Sequence, residues 1–144
     1  MSLTQETISS IKETIPLINK ESENITTRMY EILFSKYPQT KPLFDNAAGD
    51  QHKKLAGAIA AFASNIDNLG ALAKAVEKMA SVHVLTNVKP IHYPMVADSL
   101  ITAMSDVLGK DFTEAHKSAW IEGYTFLANI LMQREKELYE QTSA

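Results

Sequence analysis

Apolar residues recur at helical spacing along this chain from one end to the other. Ile8, Ile11, Ile15 and Ile18 form one face, and Ile25, Met29, Ile32 and Leu33 a second. Leu55, Ile59, Phe62 and Ile66 make a third. Leu72, Val76 and Met79 follow as a stripe that His83 continues, at spacings i, i+4, i+7 and i+11. Val96, Leu100, Met104 and Val107 come next, and then Trp120, Tyr124, Leu127, Leu131 and Leu138. No stretch alternates with a period of two, and there is no repeat or Gly-rich phosphate loop. The pattern predicts an all-α fold. Unequal helices and connections argue against a symmetric four-helix bundle.

Punctuating residues place the boundaries. Ser2 and Gln5 suit a capping box for the first helix, with Pro16 kinking it near its end. Asn24 is the expected cap of a second helix that stops before Pro38. A Pro38–Phe44 turn and an Asp45–Gly49 loop follow, and Asp50 is the natural cap of the next helix. Gly70 separates that helix from the one bearing His83. Pro94 suits the first turn of a helix running to Gly109. Asp111 or Thr113 caps the last helix, about 40 Å long to Tyr139 at about 1.5 Å per residue.

At 144 residues the chain reads as a single domain, 1–144, with room for a substantial core and a cofactor. The net charge is −3 and no basic run exceeds Lys53-Lys54, so the sequence carries no nucleic-acid footprint. It has no cysteine, which excludes disulfides, thiolate metal sites and covalent c-type haem attachment. The N-terminus lacks a basic region followed by an apolar stretch, and no apolar run is long enough to span a membrane. A cytoplasmic protein is the expectation.

His83 is the first candidate for chemistry, because its imidazole is aimed where a core side chain belongs. A histidine so placed can ligate iron through one ring nitrogen while a partner holds the other. On its own it would read as a satisfied core histidine. Tyr30, Gln51, Phe44, Tyr93 and Glu137, each taken alone, would likewise serve packing or surface. His52, His92 and His116 read as surface residues, and the six methionines as core filling. No H-E-x-x-H or di-iron spacing supports a non-haem metal site.

Several blocks of consecutive residues carry a resemblance over essentially the whole chain. They are Lys12-Glu13-Thr14-Ile15-Pro16-Leu17, Lys41-Pro42-Leu43-Phe44, Ala63-Ser64-Asn65-Ile66-Asp67-Asn68-Leu69 and Ala75-Val76-Glu77-Lys78. Val88-Lys89-Pro90, His92-Tyr93-Pro94 and Arg134-Glu135-Lys136-Glu137-Leu138-Tyr139 complete them. The chain resembles the globins, in particular the flavohaemoglobin globin domain and the single-domain bacterial haemoglobins. That resemblance implies a three-on-three helical sandwich around a non-covalent b-type haem. It makes His83 the proximal iron ligand, Tyr30 the distal tyrosine that donates to bound oxygen, and Gln51 the distal glutamine. Leu55 matches the apolar residue over the iron, Phe44 the phenylalanine on the haem face, and Tyr93 and Glu137 the pair contacting the proximal histidine. Val82 stands near the haem edge, where flavohaemoglobins usually have lysine. The Asp45–Gly49 loop is slightly short against the family, so His52 competes with Gln51 for the distal position.

Reversible binding of O2 for storage or delivery needs nothing outside this chain and is the first functional expectation. The alternative is nitric oxide dioxygenase activity, converting O2 and NO to nitrate with a separate reductase in trans. A haem-free helical interaction module is a third reading, and it would leave the coincidence of pocket residues to chance. The residues leave the oligomeric state open.

Overall fold

The computed structural model describes residues 3–44, 51–86 and 88–143. Among the described residues six α-helices carry the fold: α1 (Gln5–Glu13), α2 (Ile15–Lys36), α3 (Gln51–Ser64), α4 (Ala73–Leu85), α5 (His92–Leu108) and α6 (Glu114–Ser143). Short 3-10 helices, Pro38–Phe44, Leu69–Leu72 and Gly109–Asp111, turn the chain between them. Helix α2 packs against α3 and α5, while α6 packs against α1, α4 and α5. No strand occurs among the described residues, as the periodicity requires.

The first break falls at Thr14, two residues before Pro16. Proline belongs in the first turn of α2, where its missing N–H costs nothing, so it starts a helix instead of kinking one. Thr14 is fully buried; its hydroxyl donates to the Ile11 carbonyl (2.6 Å) and accepts from Trp120 Nε1 (2.9 Å). The α1–α2 joint is thereby fixed to α6. At the head of α1 the cap is Thr4, whose Oγ1 accepts from the Thr7 amide (3.2 Å). Ser2 and Asp50 lie outside the described residues, as does the loop between Phe44 and Gln51.

Asn24 caps nothing: α2 runs straight through it, and its amide donates to Glu21 Oε2 (2.8 Å). The apolar stripe from Ile18 through Ile25 to Met29 and Leu33 is buried continuously, and burial of that face outweighs a local capping preference. Thr26, buried in the same helix, donates to the His52 carbonyl (2.8 Å) and so anchors the start of α3. Gly109 ends α5 with φ at +58°, a conformation that suits glycine. Thr113 is the residue that caps α6. Its Oγ1 accepts from the His116 amide while His116 Nδ1 accepts from the Thr113 amide, both at 3.2 Å. Helix α6 is 30 residues, about 45 Å at about 1.5 Å per residue.

The main core joins Ile11, Ile18, Met29, Phe62, Met104 and Trp120. A smaller cluster of Ala80, Tyr93, Ala128 and Leu131 lies where α4, α5 and α6 meet. Replacing Thr14 by valine keeps the volume but leaves the buried Trp120 N–H without its acceptor. We expect a loss of about 1–3 kcal/mol in chemical denaturation. An unchanged midpoint would show that this bond does not anchor the joint.

Candidate functional site

His83 sits near the end of α4 and meets two groups from other helices. Its Nδ1 lies 2.8 Å from Glu135 Oε2 on α6 and 3.1 Å from Tyr93 Oη on α5. The Tyr93 hydroxyl donates to the same carboxylate, 2.8 Å from Oε1 and 2.6 Å from Oε2. Glu135 is only 3% exposed, so these donors replace the water that a buried carboxylate would otherwise need. Burial first, and then the hydrogen bond to Glu135, hold the Tyr93 phenol well above its ordinary pKa. Tyr93 therefore stays protonated and donates. With Nδ1 engaged, Nε2 of His83 has no hydrogen-bond partner among the described residues.

This geometry corrects the expected partner of His83. Glu137 does not reach it: its carboxylate lies 3.6 Å from Arg134 at partly exposed positions, while Glu135 makes the contact. Residues two apart on a helix point in widely different directions, so only one of the two glutamates can face α4. The signal was available in the apolar stripe of α6. Leu131 and Leu138 belong to it, and Glu135 falls at i+4 from the first and i−3 from the second.

Further contacts hold these residues in place. Tyr124 Oη donates to the Tyr93 carbonyl (2.9 Å), and burial raises its phenol above the ordinary pKa, with the nearby Glu135 charge adding to the shift. The His83 carbonyl accepts from the Val88 amide (2.9 Å), and the Val88 carbonyl accepts from Tyr139 Oη (2.7 Å). Lys89 lays its ammonium 3.8 Å from the Tyr139 ring centroid. The corner from α4 to α5 is thus clasped to the C-terminal part of α6.

A second group gathers where α2 meets the 3-10 helix Pro38–Phe44. Tyr30 and Phe44 meet edge to face with centroids 5.3 Å apart, and Phe34 packs on both at 5.7 and 5.5 Å. Phe34 was missed by sequence reasoning, although it lies one turn after Tyr30 on α2. Leu55 is half-buried against the main core and Val82 is 48% exposed. Gln51 begins α3, but its side chain lies outside the described residues; His52 is known through its carbonyl bond to Thr26.

The residues fit a haem. A histidine with Nδ1 anchored by Tyr93 and Glu135 and Nε2 left for a metal would hold the iron of such a group. With no cysteine in the chain, the group would be held without covalent attachment.

Comparison with known proteins gives the class. The globin family model matches residues 27–131, and the chain belongs to the globin family. Globins are haem-binding proteins. A globin-like protein of Aquifex aeolicus is 50% identical over 139 residues, covering 96% of this chain and 99% of its own length. A flavohemoprotein of Rhodopirellula baltica is 41% identical over 99% of this chain, which spans only 36% of that protein. Among solved structures, a carbene transferase engineered from a proposed nitric oxide dioxygenase of Rhodothermus marinus superposes with a TM-score of 0.96. It is 36% identical, and the match covers 99% of this chain and 100% of that one. No helix among the described residues is long and apolar enough to cross a membrane.

The two glutamates are separable by experiment. In the haem-loaded ferrous protein, Glu135→Gln is expected to lower the iron–histidine stretching frequency in resonance Raman spectra, whereas Glu137→Gln leaves it in place. The opposite pattern would restore Glu137 as the partner of His83.

Proposed function

We propose that this globin binds O2 at a b-type haem and uses it for nitric oxide dioxygenation, with electrons from a separate donor. One observation carries the reading: the His83 imidazole is held at 2.8 Å by a carboxylate that is 3% exposed. A negative partner at Nδ1 makes the ring a stronger electron donor through Nε2, which favours oxidising chemistry at the iron over simple release. The similarity to a proposed nitric oxide dioxygenase and to flavohemoproteins supports it.

Haem, when bound, would supply the iron at which oxygen is taken up. The chain's own residues do the rest. His83 binds the cofactor and keeps its orientation because Glu135 and Tyr93 fix Nδ1. Tyr93 remains a donor across the physiological range, since burial disfavours its phenolate. In this reading Tyr30 would donate a hydrogen bond to the bound ligand, Gln51 would be a second donor, and Leu55 and Phe44 would supply apolar contact. An apolar surround strengthens each such bond. One nitric oxide, one dioxygen and one electron give one nitrate, so every turnover draws an electron from outside the chain. Storage or delivery of oxygen would use the same pocket.

His83→Ala is expected to abolish stable haem binding, read as loss of the Soret band after reconstitution; normal retention would remove the proximal ligand. Tyr30→Phe is expected to speed oxygen release about tenfold, the value of one neutral hydrogen bond of about 1–1.5 kcal/mol. An unchanged rate would place Tyr30 away from the ligand. Slow release from the unmodified protein supports dioxygenation, and rapid release would return the function to oxygen delivery.

A further inference from the structure

Dioxygenation needs one electron per nitrate, and the inference here rests on that reading. Five large apolar side chains are exposed among the described residues. Three of them, Val82 at 48%, Leu85 at 82% and Ile91 at 65%, lie in the stretch that ends α4 and leads into α5. Apolar side chains gathered in one exposed corner, rather than scattered singly, are a mark of a contact surface. The corner adjoins the site, because Val82 precedes His83 and the Val88 amide folds back onto the His83 carbonyl.

The helix face leading to this corner is cationic. Lys74 and Lys78 are exposed on α4 at i and i+4, and Val82 follows after the same interval. Neither lysine has an ion-pair partner among the described residues. Glu77, the one acid on α4, accepts from Arg134 Nε and Nη2, each at 2.8 Å, so it does little to offset them. Lys89 adds another cation within the corner. The chain as a whole carries −3, so this side departs from the rest of the molecule.

We infer that the face formed by Lys74, Lys78, Val82, Leu85 and Ile91 docks an acidic one-electron carrier protein, whose carboxylates surround an exposed flavin or iron–sulfur edge. Opposite charge steers the encounter and the apolar centre excludes water at contact. A two-fold pair of copies would instead bring the same lysine-bearing face against itself, which opposes association. In the transfer, the carrier's reduced cofactor loses one electron and ferric iron gains it; no bond is made or broken.

The test is anaerobic stopped-flow reduction of the ferric, haem-loaded protein by flavodoxin hydroquinone, an acidic flavin protein, with reduced riboflavin as the small reductant that needs no protein docking surface. The rate constant with flavodoxin is expected to fall about tenfold or more in the Lys74→Glu/Lys78→Glu double variant, and to fall with added salt. Leu85→Asp is expected to slow it as well. Lys110→Glu, past the far end of α5 and about 25 Å from its first turn at about 1.5 Å per residue, should leave it unchanged. All variants should react alike with riboflavin. Equal slowing with riboflavin, or an equal response from Lys110→Glu, would overturn the docking surface. Self-association that Leu85→Asp abolishes, with flavodoxin rates unaltered, would give the face to a second copy and overturn it too. A lysine effect in a protein that makes no nitrate would sink the dioxygenase reading and leave the docking surface standing.

Discussion

Glu135 is a carboxylate with almost no access to solvent, and it constrains the half of the molecule built from α4, α5 and α6. A buried negative charge is tolerable only with donors at both oxygens, and those donors come from two other helices. Tyr93 must then sit in the first turn of α5, and His83 near the end of α4, with fixed ring orientations. The small cluster of Ala80, Ala128 and Leu131 packs around them. Tyr124 on the Tyr93 carbonyl and Tyr139 on the Val88 carbonyl extend the same constraint into backbone positions. The histidine is rigid because it is one member of a hydrogen-bonded set.

The other half is fixed by packing more than by charge. Thr14 couples the α1–α2 joint to Trp120 in the main core, and Thr26 couples α2 to α3. Both threonines are buried and both use their hydroxyls to satisfy backbone or ring groups, so the helices close against one another without leaving polar atoms stranded. The aromatics Tyr30, Phe34 and Phe44 then cluster where α2 meets the short 3-10 helix after it.

Charge is distributed unevenly over this frame. Carboxylates outnumber cations overall, yet the exposed face of α4 beside His83 presents lysines and unburied apolar side chains. The same helix therefore has two roles. Its inner face supplies His83 to the site, and its outer face is open to a partner. In the reading adopted above, the helix with the imidazole also lies on the path by which an electron arrives.

Much of this was legible before any tertiary contact was considered. Helical periodicity identified the all-α class, the stripe ending in His83 and the long final helix, because amphipathic spacing records which face must be buried. The resemblance led to the globin family, which the comparisons establish. Local chemistry misled where burial competed with it: Asn24 offered a cap that the continuous apolar face of α2 overrode, and Pro16 opened a helix that it was expected to kink. The choice between Glu135 and Glu137 belonged to the tertiary structure. Both glutamates are chemically able to hold a histidine, and only the rotation of α6 against α4 and α5 decides which carboxylate is buried beside His83. The sequence by itself determined the helices and the kinds of side chain available to the site. Packing decided which of them meet, since distance and direction between helices are not properties of any one segment.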